Sequence, residues 1–226
     1  MDTVHEEELE RFLRKARHIE HCLGILEKAP LPPELAGDVS GIHTKYHLVR
    51  NFVVPHLQKK VGYEFRHPNL FLILFLYQEI ASMFHEVRNL EHHERENLGL
   101  PEDMVAGMLQ VKDDMLSLAH AGERALGAGT GAGYRPAGDA PAVPEQRVTD
   151  AGKKFITARS NQAILWNFLN PGLGRSSPAS PDSKKMKSSQ FEALFGIIYL
   201  EEGPGAVESA VLTLKNNFEK NQEILS

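Results

Sequence analysis

The chain of 226 residues has little cysteine, no long apolar run and no excess of positive charge. Its single cysteine, Cys22, excludes an internal disulfide framework and is typical of a reducing compartment. The longest unbroken apolar run, Leu70 to Tyr77, has eight residues, whereas a bilayer span needs roughly 20. The formal net charge of -5 argues against polyanion binding by the whole surface, although a local basic face can still bind one.

The remaining composition is that of an ordinary globular protein. Hydrophobic residues make up 42% of the chain and charged residues 24%, which is enough to bury a sizeable core. The N-terminus, MDTVHEEELERF, is acidic, unlike a secretory signal or an Arg-rich transit peptide. We therefore expect a soluble, intracellular protein without a membrane partner, and leave the nucleus, cytoplasm and mitochondrion open as its location.

Helical periodicity dominates the chain, and no segment has a convincing strand pattern. The first apolar stripe recurs at steps of three and four residues and consists of Leu9, Phe12, Leu13, Ala16, Ile19, Leu23 and Leu26. Further helices are predicted around residues 46–54 with a break or kink at Pro55, from Pro68 through Val87, and over 101–126, 153–169, 191–200 and 207–218. The pattern predicts an all-α fold.

Two segments interrupt this pattern. The first, residues 127–146, is rich in Gly, Ala and Pro and has no apolar period. The second, residues 170–189, contains NPGLGRSSPASPDS and ends in the basic run KKMKSS. Both are predicted to be flexible inserts.

Three stretches resemble the endonuclease domain of the ribonuclease III family. VGYEFRHPNLFLILF, Val61 to Phe75, resembles the family's opening helix, "lGY.F.n..LL..A". Residues 150–169, with Ser160-Asn161, resemble "R..lVsN..La.ia", and FEALFGIIYLEEG, Phe191 to Gly203, resembles "DvFEAliGAiYlD.G". The resemblance implies a ribonuclease III-like helical domain over residues 59–226, preceded by an N-terminal helical extension over residues 1–58.

The family's chemistry depends on carboxylates that hold Mg²⁺ for phosphodiester hydrolysis. Four acids come from two helices, "ERLEFLGDavL" and "DvFEA", with spacings that place each pair on one helical face. The resemblance assigns Glu192 to the glutamate of the second helix and puts Ser189 at its aspartate. LAHAGERAL, Leu118 to Leu126, best matches the first helix. There Gly122 keeps the glycine, Glu123 stands at the aspartate and Ala119 at the glutamate.

Catalytic and metal-ligating roles are therefore predicted for Glu192 and Glu123. The alternative is that Glu192 borders the core and Glu123 lies on a solvated helix face. Mg²⁺ is the cofactor expected of an active enzyme, and none is expected of an inactive one. His85 and His92 share a helical face, but no third ligand has a clear spacing from them.

Three lysines and one glycine complete the candidate set. Lys184, Lys185 and Lys187 are predicted to contact RNA phosphates from an unstructured arm, or else to form a solvated loop. Gly196 lies one turn after Glu192, and its missing side chain permits close backbone approach to another helix or another subunit.

Three functions follow from these residues. The first is a divergent ribonuclease III-like domain in RNA processing or an RNA–protein assembly, impaired or inactive in cleavage because two of four acids are matched. It would bind double-stranded RNA and form a homodimer, or a heterodimer with another ribonuclease III-like chain. The second is an active Mg²⁺-dependent double-stranded RNA endonuclease that uses Glu123, Asp113 or Asp114 together with Glu192. The third is a helical protein-interaction module that does not bind RNA.

Overall fold

A computed structural model describes residues 3–128, 156, 159–169 and 182–225, and these residues are helical apart from short connections. No strand occurs in this part of the chain, so the predicted all-α fold is confirmed for it. The helices are α1 (Thr3–Leu26), α2 (Pro33–Leu48), α3 (Val54–Val61), α4 (Phe71–Asn89), α5 (His92–Asn97), α6 (Glu102–Leu109), α7 (Val111–Ala128), α8 (Arg159–Leu169), α9 (Asp182–Glu202) and α10 (Pro204–Leu225). A π-helical turn, Val49–Val53, and a 3₁₀ turn, Pro68–Leu70, precede α3 and α4.

The chain divides into two compact units. Unit 1 comprises residues 1–56 and 65–117, and unit 2 comprises residues 57–64 and 118–226. Two of the three divisions fall inside α3 and α7, and the third falls between Glu64 and Phe65, in the connection after α3. The segment from Phe65 to Ser117 packs with the N-terminal helices in unit 1. The domain boundary predicted at residue 58 stays a prediction.

Unit 1 is built around α4. This helix packs against α1, α2 and α6, and it buries residues on every side, as its composition predicts. The α1 stripe is buried through Phe12, Ala16, Ile19, Leu23 and Leu26, whereas Leu9 and Leu13 are half-buried. An ion pair of 3.1 Å joins the Lys15 ammonium to the Asp114 carboxylate, and the same ammonium donates a 2.9 Å hydrogen bond to the Gly107 carbonyl.

The segment Pro68–Asn89 is, within the described ranges, the one helical stretch long and apolar enough to cross a membrane. The longest unbroken apolar run in the sequence, Leu70 to Tyr77, did not indicate this stretch, because polar residues interrupt its second half. In its most apolar window, 61% of the residues are buried inside the protein. This burial is typical of the core helix of a soluble domain.

Unit 2 is built around α9, which packs against α8 on one side and α10 on another. Its core contains Trp166 together with Phe191 and Phe195, whose ring centroids are 4.9 Å apart. The segment 57–64 joins this unit through Asn217, whose side-chain amide donates a 2.9 Å hydrogen bond to the Lys60 carbonyl.

Gly62 ends α3 in a conformation that favours glycine, with a φ of 65°. A Cβ atom placed there would also lie 2.8 Å from the Thr213 methyl group of α10. The positive φ strains any larger residue at this point, where the segment 57–64 turns against α10, and the Thr213 side chain would have to shift to admit one.

Three local predictions differ from the structure. Helical backbone continues through Pro55, so the helix is not broken there. The regular α-helical pattern is interrupted just before it, by a π-helical turn in which the Val54 N–H donates to the Val49 carbonyl, and α3 begins at Val54. The helix predicted over 101–126 is two helices, α6 and α7, separated at Gln110. Of the flexible insert predicted over 170–189, residues 182–189 are helical. The run has no Gly or Pro, and its central residues 184–187, three lysines and a methionine, are good helix formers. Residues 129–146 and 170–181 lie outside the described residues.

Candidate functional site

The candidate site lies in unit 2, where α7 meets α9 through two glycines. A Cβ atom built on Gly122 would lie 1.7 Å from the Glu192 carbonyl oxygen and 2.7 Å from the Gly196 nitrogen. A Cβ atom on Gly196 would lie 2.1 Å from the Leu118 carbonyl oxygen. Separations below 3.0 Å are essentially never seen for real Cβ atoms, so the two backbones touch. The predicted close approach of Gly196 is therefore made to another helix of the same unit.

This contact places Glu192 and Glu123 on the two touching helices. Glu192 is half-buried, and its backbone carbonyl faces Gly122. Glu123 follows Gly122 directly, but its side chain is 58% exposed, and its carboxylate lies 3.5 Å from the His120 Nδ1 atom. Glu123 therefore lies on a solvated face of α7.

The other two acid positions of the family carry no carboxylate. Ala119, at the position of the glutamate, is only 4% exposed, so an apolar methyl group fills that place in the core. Ser189, at the position of the aspartate, is half-buried on α9. Among the described residues, no group of three or more His, Cys, Asp or Glu side chains is arranged to hold a metal ion.

These residues do not fit the family's four-carboxylate magnesium centre. Mg²⁺ takes near-octahedral oxygen coordination and usually retains several waters. One half-buried carboxylate and one exposed carboxylate leave most of that coordination to water. Asp114, considered as a substitute ligand, is paired with Lys15 in unit 1, and Asp113 is exposed there.

The three predicted RNA-binding lysines lie in the first two turns of α9. Lys184 and Lys185 are exposed, and Lys187 is half-buried. The positive end of the helix dipole is at this terminus and adds to the attraction for a phosphate. The next residue, Ser188, is 2% exposed, and its hydroxyl donates a hydrogen bond to the buried Gln162 side chain of α8.

Two buried polar contacts were missed by the sequence analysis. One is the Ser188–Gln162 hydrogen bond. The other joins the Tyr63 hydroxyl to the Glu201 carboxylate at 2.9 Å, and Glu201 is only 3% exposed. The sequence did hold a signal for the Tyr63–Glu201 contact. Glu201 directly follows the apolar run FEALFGIIYL, and a carboxylate that is buried there needs a hydrogen-bond partner.

Comparison of the chain with protein-family models, with curated proteins and with solved structures finds no match.

Proposed function

We propose that residues 59–226 form a divergent ribonuclease III-like domain that serves RNA processing or an RNA–protein assembly, with cleavage impaired or lost. The observation that carries this proposal is the backbone contact between Gly122 and Gly196. The resemblance aligns both glycines with glycines of the two carboxylate-bearing helices of the family. Because α7 and α9 cross in contact there, residues of both helices near the crossing, including Glu192, can line one surface.

A second contact supports the same relationship. Tyr63 belongs to the GY pair of the opening stretch, and Glu201 stands at the aspartate of "YlD" in the last stretch. Their 2.9 Å hydrogen bond joins the first and third regions of resemblance within unit 2. Two independent contacts thus connect positions that the resemblance singles out from separate parts of the chain.

The proposed loss of cleavage follows from Ala119 and Ser189. Mg²⁺ would supply charge neutralisation and an activated water, and it needs several fixed oxygen ligands for both. The methyl group of Ala119 supplies no oxygen, and Glu123 is directed to solvent beside His120. Glu192 is then a remnant of the family's site rather than a working ligand.

Duplex RNA is the partner that we infer for the α9 terminus. Lys184 and Lys185 present exposed ammonium groups at the positive end of the helix dipole, and Lys187 lies in the following turn. The resemblance also implies pairing with a second ribonuclease III-like domain, either in a homodimer or with an active partner chain. Sedimentation velocity of the purified protein measures the homodimer directly.

The decisive experiment measures binding and cleavage of one labelled RNA duplex by the same protein preparation. We expect binding by fluorescence anisotropy that weakens from 50 to 200 mM salt. The logarithm of the association constant should fall by roughly 0.9 per phosphate contact for each tenfold rise in salt. With Mg²⁺ present, we expect no cleavage above that of a protein-free sample. Glu192→Gln and the exposed control Glu208→Gln should bind equally well.

Two results would replace this proposal. Magnesium-dependent cleavage that Glu192→Gln abolishes and Glu208→Gln preserves would establish an active endonuclease. Absence of binding even at low salt, with the protein folded by circular dichroism, would favour the protein-interaction module.

A further inference from the structure

Unit 1 contains a pocket of about 480 Å³ between α4, α5 and α6, and no role assigned above uses it. Its volume is within the range of roughly 300–1,000 Å³ that small-molecule sites in proteins occupy. The apolar part of its lining comes from three elements and includes Val87, Leu98, Val105 and Leu109. Leu98 is 5% exposed and Val87 1%, so the apolar wall is continuous with the core of unit 1.

The polar lining of the pocket is mainly cationic. Arg88 lies in the last turn of α4, His92 and Arg95 belong to α5, and Glu102 begins α6. Two arginines against one glutamate leave an excess of one positive charge when His92 is neutral. This balance suits a ligand with a single negative charge.

Arg95 has a feature that points to a missing partner. Its Nε atom is buried and has no hydrogen-bond partner among the described residues. A buried donor of a charged group is costly to leave unsatisfied, whereas a carboxylate accepts two parallel hydrogen bonds from a guanidinium. A ligand carboxylate beside Arg95 would satisfy this donor.

We propose that the pocket binds a small amphiphilic monocarboxylate, with its carboxylate on Arg95 and Arg88 and its apolar chain against Val87, Leu98 and Leu109. The apolar wall excludes a multiply charged polyol phosphate, since such a ligand would leave its hydroxyl groups without partners there. The proposal concerns unit 1 alone and is independent of RNA binding by unit 2.

The test uses the full chain and octanoate as the probe. Isothermal titration calorimetry should show one saturable site with a dissociation constant of about 1 mM or below, a reasonable value for a ligand with about ten non-hydrogen atoms. Octanamide, which has the same chain and no charge, should bind at least roughly tenfold more weakly, because it forms no charge-assisted hydrogen bond.

Variants then assign the carboxylate position. Arg95→Gln should weaken octanoate binding by about tenfold or more and leave octanamide binding nearly unchanged. Lys112→Gln is the matched control, because Lys112 is an exposed cation of unit 1 that does not line the pocket. If Arg95→Gln changes the circular dichroism spectrum, Arg88→Gln, at an exposed residue, replaces it and should weaken octanoate selectively.

The proposal would be overturned if octanoate showed no saturable binding at concentrations up to about 10 mM. Equal affinities for octanoate and octanamide would also overturn it. So would a loss of octanoate affinity that is the same in the pocket-arginine variant and in Lys112→Gln.

Discussion

Gly122 of α7 and Gly196 of α9 lie against each other so closely that a methyl group on either would overlap the backbone of the opposite helix. A Cβ atom on Gly122 would be 1.7 Å from the Glu192 carbonyl oxygen, and one on Gly196 would be 2.1 Å from the Leu118 carbonyl oxygen. Flexible side chains can move away from an added methyl group, but backbone atoms inside two packed helices cannot. The contact therefore makes both glycines structural requirements of unit 2.

Gly122→Ala and Gly196→Ala should each lower the free energy of unfolding of unit 2 by about 3 kcal/mol or more, at the upper end of overpacking costs. Urea denaturation followed by circular dichroism measures this change. Gly127→Ala in α7 and Gly205→Ala in α10 are matched controls, since a Cβ atom at either meets nothing within 4 Å. The controls should be neutral or stabilise by up to about 1 kcal/mol. Equal effects at all four positions would contradict the close crossing.

Tyr63→Phe should destabilise unit 2 by about 1–3 kcal/mol, because it removes a hydrogen bond from the buried Glu201 carboxylate. Glu201→Gln keeps an oxygen acceptor for the Tyr63 hydroxyl and should cost less. The neighbouring Glu202 is exposed, so Glu202→Gln should change stability by no more than about 0.5 kcal/mol. Chemical denaturation of the three variants measures these changes in unfolding free energy. A Tyr63→Phe effect as small as that of Glu202→Gln would show that the Tyr63–Glu201 hydrogen bond does not stabilise unit 2.

Asp114→Asn should destabilise unit 1 by about 1–2 kcal/mol, because Lys15 loses a partly buried ion-pair partner at 3.1 Å. Its sequence neighbour Asp113 is exposed, and Asp113→Asn should have an effect within about 0.5 kcal/mol. In a duplex-RNA cleavage assay, neither variant should differ from the parent protein. Selective loss of cleavage in Asp114→Asn would instead assign that carboxylate to an active centre.

Burial raises the pKa of the Cys22 thiol from 9.0 to about 11, since the thiolate is poorly solvated in the core. The folded state therefore retains a proton that the unfolded state loses between about pH 9 and pH 11. Stability is fully present below that window and falls as the pH rises through it. Cys22→Ala should make the fall of the unfolding free energy between pH 8 and pH 11 shallower. Tyr46, whose pKa is raised to about 12, adds to the decline in both proteins. Parallel pH profiles would contradict the assignment to Cys22.

Lys184→Gln combined with Lys185→Gln should weaken duplex-RNA binding. It should also reduce the slope of the logarithm of the association constant against the logarithm of the salt concentration by about 0.9 for each phosphate contact removed. Lys220→Gln is the control, because Lys220 is also exposed in unit 2 but lies far along α10 from its N-terminus. Anisotropy titrations at several salt concentrations give the slopes. An unchanged slope in the double variant would remove these lysines from the proposed interface.

The positions of most helices were predictable because their apolar residues repeat with the helical period. The α1 stripe and the all-apolar start of α4 needed no other information. The start of α9 was not predictable in this way, because its first turns bury Ser188 against Gln162 instead of an apolar residue. A polar contact of that kind depends on another helix and leaves no periodic signal.

The candidate site was predictable only in part. Glu192 and Gly196 stood out by their place in an apolar run, and Gly122 by its alignment. The exposure of Glu123, the burial of Ala119 and the pairing of Glu201 with Tyr63 required the packed structure. Each of these depends on which residues from distant parts of the chain come to lie side by side.

Local spacing of apolar residues was enough to predict a helical protein and the buried stripe of α1, because helix period is a property of neighbouring residues. Packing in three dimensions was needed to show that residues 65–117 lie with the N-terminal helices and that α7 and α9 touch at Gly122 and Gly196. Such backbone contacts join residues more than seventy positions apart, so no local pattern encodes them.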